Sequence, residues 1–414
     1  MNILVITLMY HPDHGPGAPL YTMLCEQLAR MGHAVTVVAA VPHYPTGSVA
    51  PEYRHGVIQE SNRNGVHIMR IRLPSVNRSR MALRLWHYVI YQIGAAWDGL
   101  RQACDVAIVT NPALQAALPF AAVAGLRHKP TVYCVHDVYP DAGIALGIFR
   151  NRFVISAVAG LESYCIKRAT RVRILSKSFA PAMRRLGALD ANLTLIYDWV
   201  DTDFIRPLPR DNAFAREHDL VDKTVVMYAG NMGQSQGLEQ ILAAAQILAA
   251  DDGLHFAFVG EGGSRDELIA RAATAQLNNV TFIPFQPRER LPEVLASADI
   301  SLVCLKKNIG FQSLPSKSYS ILASGRPIIA CVDEGSDSQQ LIERSQAGIC
   351  LPPEEPQQLA EAIARLKQDD RQREQMGQNG REYAVRYHSP QSAALSFESL
   401  LQTIAGKHPI RYTH

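Results

Sequence analysis

The feature that most constrains the fold is an alternation of apolar, strand-like runs with helix-like segments, which starts at the N-terminus. Residues 3–8 form a continuous apolar run, as expected of a parallel strand covered on both faces. A loop, a helix predicted over residues 20–31 and a strand over residues 35–40 follow. This order is typical of doubly wound α/β sheets. The loop is not GxGxxG and no acidic residue ends the second strand, which argues against a dinucleotide site.

The second half of the chain restarts the same pattern. Residues 225–229 are a predicted strand, and the glycine-rich loop 230–238 opens a helix that extends to residue 250. A strand over residues 255–259 ends in a second glycine-rich loop. A chain of 414 residues is also too long for one ordinary core. We therefore predict an α/β fold with two doubly wound parallel-sheet domains, residues 1–203 and 204–387, with a proline-containing linker at the junction.

The composition excludes several classes of protein. Hydrophobic residues make up 47% and charged residues 19%, as in globular proteins. A net charge of +3 is too small to indicate a nucleic-acid partner. The seven cysteines are scattered singly, without zinc-site spacing, which predicts buried thiols in a reducing cytosol. The N-terminus is predicted to be a buried strand rather than a signal peptide, and no run is apolar and long enough to span a bilayer.

Residues 310–327 are the strongest candidate for the chemistry. They are predicted to form a polar loop that runs into a helix, with Pro315 in the first turn and Gly325 at the C-cap. A helix start with free backbone N–H groups attracts anions, and Ser316 and Lys317 would add a hydroxyl and a charge for a phosphate. The alternative is an ordinary capped helix.

Two loops near the N-terminus are candidate ligand-binding loops. Gly15 and Gly17 would let backbone N–H groups approach a sugar or a phosphate, although they could also form only a tight turn. His43 and Tyr44 lie in a rigid polar loop at the carboxyl end of a predicted strand, which is the usual ligand edge of such sheets.

A histidine–aspartate pair follows another predicted strand directly. His136 and Asp137 come after residues 131–135, so they can point into a cleft and donate, accept or orient a proton. The alternative is a structural pair that satisfies its own hydrogen bonds.

Residues 77–103 combine cations with aromatic residues. Arg78, Arg80 and Arg84 are followed by Trp86 and further aromatic residues up to Trp97. Cations beside amphipathic aromatics on a helix suit an anionic membrane surface. The alternative is a surface helix whose aromatic side chains pack on their own domain.

The order of the glycine motifs resembles that of a known family. Gly230-Asn231-Met232-Gly233, residues 258–262 and residues 322–327 resemble the retaining glycosyltransferases of the GT-B fold, family four. Residues 42–47, 196–201 and 314–317 look like the branch that builds bacterial O-antigen and exopolysaccharide repeat units, which includes colanic-acid-type and N-acetylfucosamine transferases.

The resemblance implies two Rossmann-like domains, with the nucleotide-sugar donor on the C-terminal domain and the acceptor on the N-terminal domain. In the family the last helix crosses back to the first domain, and residues 388–406 fit that place. The resemblance also implies that neither a metal nor another cofactor is needed, because helix starts and side chains neutralise the diphosphate.

The family's functional residues carry over unevenly. The histidine that hydrogen-bonds the donor sugar maps onto His136, and the acceptor-side glycine loop maps onto Gly15 and Gly17. The family's diphosphate-binding arginine and lysine are replaced here by Asn231 and by Ser235 or Gln236. Its two glutamates are replaced by Ser320 and, with uncertain spacing, Gln312. The missing positive charge is expected from Lys317, with Lys306 or Lys307 as further candidates.

The candidate site residues fall into three groups. The predicted catalytic residues are His136, Asp137, Gln312 and Lys317. The predicted donor-binding residues are Gly230, Asn231, Gly233, Gln236, Gly260, Glu261, Ser316, Tyr319 and Ser320. The predicted acceptor-binding residues are Gly15, Gly17, His43 and Tyr44.

The expected function is retaining transfer of a sugar from a nucleotide sugar to a growing, lipid-pyrophosphate-linked bacterial polysaccharide repeat unit. The expected location is the cytoplasm, peripherally on the inner face of the plasma membrane. Two alternatives remain open: a non-hydrolysing sugar-nucleotide epimerase, which shares the two-domain architecture, and a catalytically silent binding partner in a polysaccharide assembly complex.

Overall fold

The chain divides into two units, each built around its own sheet. The computed structural model describes residues 1–15, 17–44, 46–76, 81–145, 147–309 and 315–406. The first unit is Met1–Asp198 together with the C-terminal stretch that begins at Pro390, and the second unit is Trp199–Ser389. The sequence analysis put these divisions after residues 203 and 387.

The first unit contains a sheet in the order β3-β4-β2-β1-β5-β6-β7-β8. Its strands are β1 (Asn2–Ile6), β2 (Ala34–Ala40), β3 (Ile58–Arg63), β4 (Val66–Ile71), β5 (Val106–Thr110), β6 (Thr131–Val135), β7 (Arg171–Ile174) and β8 (Leu193–Leu195). Every pair is parallel except β3 with β4. The central strands β5 and β6 are buried along their whole length, so they carry unbroken apolar runs rather than an alternation.

The helices of the first unit cover this sheet. They are α1 (Gly17–Arg30), α2 (Met81–Arg101), α3 (Ala113–Phe120), α4 (Asp141–Ala145), α5 (Arg152–Arg168) and α6 (Ala180–Arg185). Helix α2 packs against α3, and α3 packs against α5. Within the described ranges, no helix is both long enough and apolar enough to cross a membrane.

The second unit repeats the architecture with a wholly parallel sheet in the order β11-β10-β9-β12-β13-β14. The strands are β9 (Thr224–Ala229), β10 (Leu254–Val259), β11 (Val280–Ile283), β12 (Ile300–Cys304), β13 (Ile328–Cys331) and β14 (Gly348–Leu351). The helices are α7 (Ala213–Glu217), α8 (Glu239–Ile247), α9 (Arg265–Thr274), α10 (Leu291–Ala296), α11 (Lys317–Ser324), α12 (Asp337–Ser345), α13 (Pro356–Gln368) and α14 (Asp370–Tyr387). The prediction of two doubly wound domains is confirmed.

The last helix, α15 (Pro390–Ile404), belongs to the first unit although it follows the second in the chain. It packs on α1 and buries Phe397 and Leu401 completely. The buried Glu398 carboxylate lies 2.8 Å from Nε2 of His33, at the turn between α1 and β2. The sequence analysis assigned this helix to the N-terminal domain through the family resemblance.

Candidate active site

The second unit has a cavity at the carboxyl edge of its sheet. Its volume is about 530 Å³, within the usual range for small-molecule sites. The walls come from the loops after β9, β10 and β11, from α10 and from the start of α11. The lining residues are Ala229, Gly230, Asn231, Val259, Gly260, Glu261, Gly262, Phe285, Gln286, Leu291, Val294, Leu295, Ser316, Lys317 and Ser320.

Two glycine loops are interleaved at the floor of this cavity. A Cβ atom on Gly260 would come within 2.2 Å of the Gly230 carbonyl oxygen, and one on Gly262 within 2.5 Å of the Met232 backbone. Both glycines have positive φ, +139° and +155°, which disfavours any side chain. The Met232 N–H donates to the Glu261 carbonyl at 2.8 Å. Glycine is therefore required here for the close approach of two backbones.

Lys317 is the only cation among the described residues that line the cavity. Its amine donates to the Tyr228 hydroxyl at 2.7 Å and to Gln236 Oε1 at 2.8 Å. It also lies 3.9 Å from the centre of the Tyr228 ring, a cation–π contact. The Tyr228 hydroxyl in turn donates to the Asn231 carbonyl at 2.7 Å, so the glycine loop orients the group that holds the amine.

The electrostatic state of Lys317 follows from these neutral partners. Burial lowers the pKa of its amine to about 7, because an ammonium ion loses hydration there and gains no carboxylate contact in return. An anion that enters the cavity would supply the missing counter-charge. The arrangement is therefore suited to binding a phosphate or a diphosphate.

The mouth of the cavity carries residues that the sequence analysis missed. Phe285, just after β11, is exposed despite its size, and Gln286 beside it accepts a hydrogen bond from Arg290 at 3.1 Å. Tyr228 was also missed, because a tyrosine near the end of an apolar strand looks like a core residue. The sequence signal that could have identified this loop is an aromatic residue followed by an amide, Phe285-Gln286, directly after a strand-like run.

The structure brings most of the predicted donor-binding residues together. The cavity is lined by Gly230, Asn231, Gly260, Glu261, Ser316 and Ser320, and by Lys317, which was predicted as catalytic. Gln236 contacts the Lys317 amine, and Gly233 precedes the 3₁₀ turn Gln234–Gln236 that carries Gln236. Tyr319 lies elsewhere: its side chain is buried in the core, with its ring 4.4 Å from that of His388. Gln312 lies outside the described residues.

In the first unit, His136 sits at the end of β6 within a hydrogen-bonded cluster. Its Nε2 lies 2.7 Å from the Tyr21 hydroxyl, and its backbone N–H donates to Asn111 Oδ1 at 2.9 Å. Its Nδ1 is 3.9 Å from the carboxylate of Asp198, which is paired with the fully buried Arg173 at 2.6 Å. Burial lowers the pKa of His136 to about 4, so the imidazole is neutral at pH 7.

Asp137 follows His136, and its backbone carbonyl accepts a hydrogen bond from Asn111 Nδ2 at 2.6 Å. Burial, with the nearby Asp198 charge, raises the pKa of the Asp137 carboxyl. Asn111 thus holds both members of the predicted pair through their backbone. The other members of this cluster, Tyr21, Asn111 and Asp198, were not predicted, because they come from elements that are distant in the sequence.

The predicted acceptor loops meet at Asp13. Its carboxylate accepts from the backbone N–H of Gly15 at 3.0 Å and from that of His43 at 3.0 Å, with Tyr44 N–H at 3.4 Å. The His43 ring is buried, whereas Tyr44 is exposed. Gly17 is the first residue of α1. The sequence analysis named both loops but missed the aspartate that joins them.

No cluster of three or more His, Cys, Asp or Glu side chains that could hold a metal is found across the described ranges. The expectation that no metal or cofactor is needed is not tested by this finding and stays a prediction.

Comparison with known families places both halves among glycosyltransferases. Residues 210–383 match the model of the family described as glycosyl transferases group 1. Residues 17–199 match the model described as glycosyl transferase 4-like domain. The two matches cover most of the chain and meet near the division between the two units.

Two curated relatives are bacterial. One, from Escherichia coli (strain K12), is named as a colanic acid biosynthesis glycosyl transferase, WcaI. It is 28% identical over 374 residues, which are 88% of this chain and 91% of the relative. The other, named as the glycosyltransferase WbjE of Pseudomonas aeruginosa, is 27% identical over 61% of this chain and 64% of the relative.

Solved structures show the same fold. Anabaena HepE in complex with UDP superimposes with a TM-score of 0.71 at 16% identity, covering 97% of this chain and 100% of HepE. The lipopolysaccharide glycosyltransferase WaaG gives a TM-score of 0.62 at 15% identity, covering 95% of this chain and 98% of WaaG. These structures are GT-B glycosyltransferases, so the predicted GT-B fold is confirmed.

Proposed function

The chain belongs to the GT-B glycosyltransferases of group 1, and from this premise we propose that it is a retaining enzyme which transfers a sugar from a nucleotide sugar to a lipid-pyrophosphate-linked acceptor. The acceptor is a growing repeat unit of a bacterial surface polysaccharide or exopolysaccharide. The similarity to WcaI and WbjE supports the polysaccharide pathway. The HepE complexes with UDP and UDP-glucose support a nucleotide-sugar donor.

The observation that carries this proposal is the Lys317 amine in the glycine-lined cavity of the second unit. Glycosyl transfer requires stabilisation of the diphosphate as the bond from the sugar C1 to the diphosphate oxygen breaks. Lys317 is held in place by Tyr228 and Gln236 before any ligand arrives, so little reorganisation is needed when negative charge develops. The amide groups at the start of α11 add to this stabilisation without a metal.

The remaining donor contacts follow from the cavity walls. The exposed ring of Phe285 offers a surface on which a nucleobase can stack. Ser320 and Asn231 offer neutral hydrogen-bonding groups for ribose or sugar hydroxyls. At these two positions the family has a glutamate and an arginine, and this chain has neutral side chains instead. We therefore propose that the donor is oriented chiefly by hydrogen bonds and by the charge of Lys317.

In the first unit, neutral His136 is proposed to hydrogen-bond a sugar hydroxyl and hold it in position. Tyr21 orients the imidazole through Nε2, and the Asp198–Arg173 pair lies on its other side. The Asp13-centred loops with Gly15, Gly17 and His43 are proposed to receive the acceptor.

We also propose that the reaction takes place in the cytoplasm, and the seven free thiols of the structure support a reducing compartment.

The test is a two-step experiment on the full chain. UDP-, GDP- and dTDP-sugars are first screened for thermal stabilisation, and the best donor is then incubated with short polyprenyl-pyrophosphate-linked saccharides. The expected result is stabilisation by one nucleotide series, followed by transfer with retained anomeric configuration, read by NMR of the product. Absence of stabilisation by every nucleotide series would instead support a silent binding partner. Conversion of the nucleotide sugar without acceptor would support an epimerase.

A further inference from the structure

The second unit has another cavity, a groove along helix α14 at the amino edge of the sheet. Asp299 directly precedes β12 and Pro327 directly precedes β13, and both line the groove. Its volume is about 540 Å³. Helix α11 runs between this groove and the glycine-lined cavity, with Lys317 in the cavity at its start and Gly325 in the groove at its C-cap. The two sites share none of the described residues that line them.

Local sequence explains why the groove is open. Gly377 of α14 lies directly on the turn after α11, because a Cβ at this position would come within 2.2 Å of the Gly325 carbonyl oxygen. The helix and the turn therefore meet backbone to backbone, and no side chain fills the space between them. Longer side chains of α14 recur every three or four residues along one face and form a wall. They are Asp370, Arg373, Glu374, Gln378, Arg381 and Glu382.

Two arginines of the groove are fixed by bonds to the structure around it. Arg210 donates through Nε to the Asp299 carboxylate at 3.0 Å and through Nη2 to the Leu220 carbonyl at 2.8 Å. Arg326 donates through Nη2 to the Leu208 carbonyl at 3.0 Å. Both guanidinium groups are therefore held in place before any ligand arrives.

Each of these two arginines keeps a buried donor without an acceptor. Arg210 Nη1 and Arg326 Nε are buried and have no hydrogen-bond partner within the part of the chain that the structure describes. Such orphaned donors are unfavourable. Burial lowers the pKa of the Arg326 guanidinium; the charge of Asp299 opposes this shift and that of Arg210 adds to it. An anion bound at the two arginines would supply both the acceptors and a counter-charge.

The charges of the groove are separated by depth. Arg381 is half-buried and donates to the Ala323 carbonyl at 3.0 Å, so it adds a third cation at the floor. Glu374, Gln378 and Glu382 are exposed and lie at the rim. A ligand that suits this arrangement carries negative charge at one end and hydrogen-bonding groups at the other.

These features favour a sugar phosphate over other anions. Guanidinium donors match the oxygens of a phosphate monoester, and carboxylate and amide groups accept hydrogen bonds from hydroxyl groups. The remaining charged pair, Arg373 with Asp370, neutralises itself. No aromatic side chain is found among the described residues that line the groove, so it offers no ring on which a nucleobase can stack.

We propose that this groove binds a sugar phosphate, with the phosphate on Arg210 and Arg326 and the sugar hydroxyls on Glu374, Gln378 and Glu382. The site goes beyond the proposed transfer reaction, because it contains none of the residues to which donor or acceptor contacts are assigned. Its ligand can therefore be measured without a donor or an acceptor.

The test is isothermal titration calorimetry of the full chain with glucose 1-phosphate, glucose 6-phosphate and inorganic phosphate as the probes. At least one sugar phosphate is expected to bind at least about tenfold more tightly than inorganic phosphate, because only the sugar reaches the groups at the rim. Equal affinity for all three probes would overturn the assignment to a sugar phosphate. Absence of binding by all three would overturn the site.

Two substitutions test the groove. Gln378→Glu adds a negative charge from an exposed helix position and is expected to weaken sugar-phosphate binding at least about fivefold. Gln358→Glu is the matched control: it is exposed on α13 of the same unit, is absent from the groove and should bind as wild type. Arg326→Gln is expected to weaken binding more than about twentyfold. Because Arg326 also anchors the Leu208 carbonyl, thermal unfolding checks its fold, and Gln378→Glu provides the test if that variant is unfolded.

Lys317→Met separates the groove from the glycine-lined cavity. A sugar phosphate in the groove is expected to bind this variant with wild-type affinity. Binding that is lost in Lys317→Met and unchanged in Gln378→Glu would place the phosphate in the cavity and overturn the proposal.

Discussion

At the scale of single residues, Lys317 determines what the second unit can bind. Its amine is held by a phenol, an amide oxygen and an aromatic ring, none of which carries a charge. An ammonium ion in this setting is stabilised when an anion arrives, so ligand binding and proton binding are coupled at this residue.

We expect Lys317→Ala to lower turnover at least about 100-fold, the range for losing one preorganised group that stabilises developing charge. The measurement is steady-state transfer with the donor identified by thermal shift. Lys167→Ala is the control, because Lys167 is exposed in the last turn of α5 and absent from the cavity walls. Near-normal turnover of Lys317→Ala would remove the amine from the reaction.

The lowered pKa of Lys317 predicts proton uptake on donor binding. With a pKa of about 7 in the free protein, the Lys317 amine is mostly neutral at pH 8. A bound diphosphate raises the pKa of the amine, so the amine takes up a proton from the solvent. Calorimetry of nucleotide-sugar binding in buffers of different ionisation heat should show proton uptake at pH 8 and less at pH 6, because the esterified diphosphate does not itself titrate in this range. Lys317→Met should show none at either pH. An uptake that does not depend on Lys317 would contradict this assignment.

His136 is expected to act as a neutral hydrogen-bonding group. Because burial lowers its pKa to about 4, its charged form appears only well below neutral pH. His136→Ala should reduce transfer at least about tenfold, as for loss of one hydrogen bond in a site, while nucleotide stabilisation of the second unit is unchanged. His55→Ala, on the exposed surface of the same unit, is the control. Equal transfer rates for His136→Ala and wild type would exclude the role.

At the scale of secondary-structure elements, the cavity depends on the contact between the loops after β9 and β10. The two loops exchange backbone hydrogen bonds and approach within van der Waals distance at Gly230 and Gly260. The loops can therefore be expected to hold their shape in the absence of a ligand, which favours a preformed site.

Gly260→Ala is expected to abolish nucleotide stabilisation and to lower the unfolding temperature. The new Cβ overlaps the Gly230 carbonyl oxygen, and the backbone conformation alone costs about 1–3 kcal/mol for a residue with a side chain. Gly263→Ala, in the same loop, meets open space and should behave as wild type. Thermal unfolding with and without UDP measures both effects. Normal nucleotide binding by Gly260→Ala would show that the loop contact does not shape the site.

One edge strand shows where prediction from local pattern fails. Strand β3 was not predicted, because its sequence is largely polar and its last four residues are exposed. It exists because it pairs antiparallel with β4, whose residues are mostly apolar and buried. An edge strand needs hydrogen bonds on one side only, so it can form without an apolar pattern.

At the scale of the whole molecule, the chain returns to its first unit after completing the second. Helix α15 closes the first unit by packing on α1, although more than 350 residues separate His33 from Glu398, which meet there. The integrity of the first unit therefore depends on the last helix.

Leu401→Ala is expected to destabilise the first unit by roughly 2–5 kcal/mol, the usual cost of truncating a fully buried leucine. Hydrogen-exchange mass spectrometry should show faster exchange in Met1–Asp198 and in α15, and unchanged exchange in Trp199–Ser389. Leu395→Ala, on the exposed side of the same helix, should change neither unit. Faster exchange throughout the chain would mean that the two units unfold together.

The sequence by itself determined the buried strands and the glycine loops of this protein. Unbroken apolar runs such as β5 and β6 predict buried parallel strands, and the glycine loops and Lys317 were named from local pattern alone. Which side chains meet was decided only by the tertiary structure. Tyr228 holds a lysine 89 residues away, and Tyr21 bonds a histidine 115 residues away. Backbone pattern is a local property, whereas a side-chain contact depends on how strands and helices pack, and no short stretch of sequence encodes that.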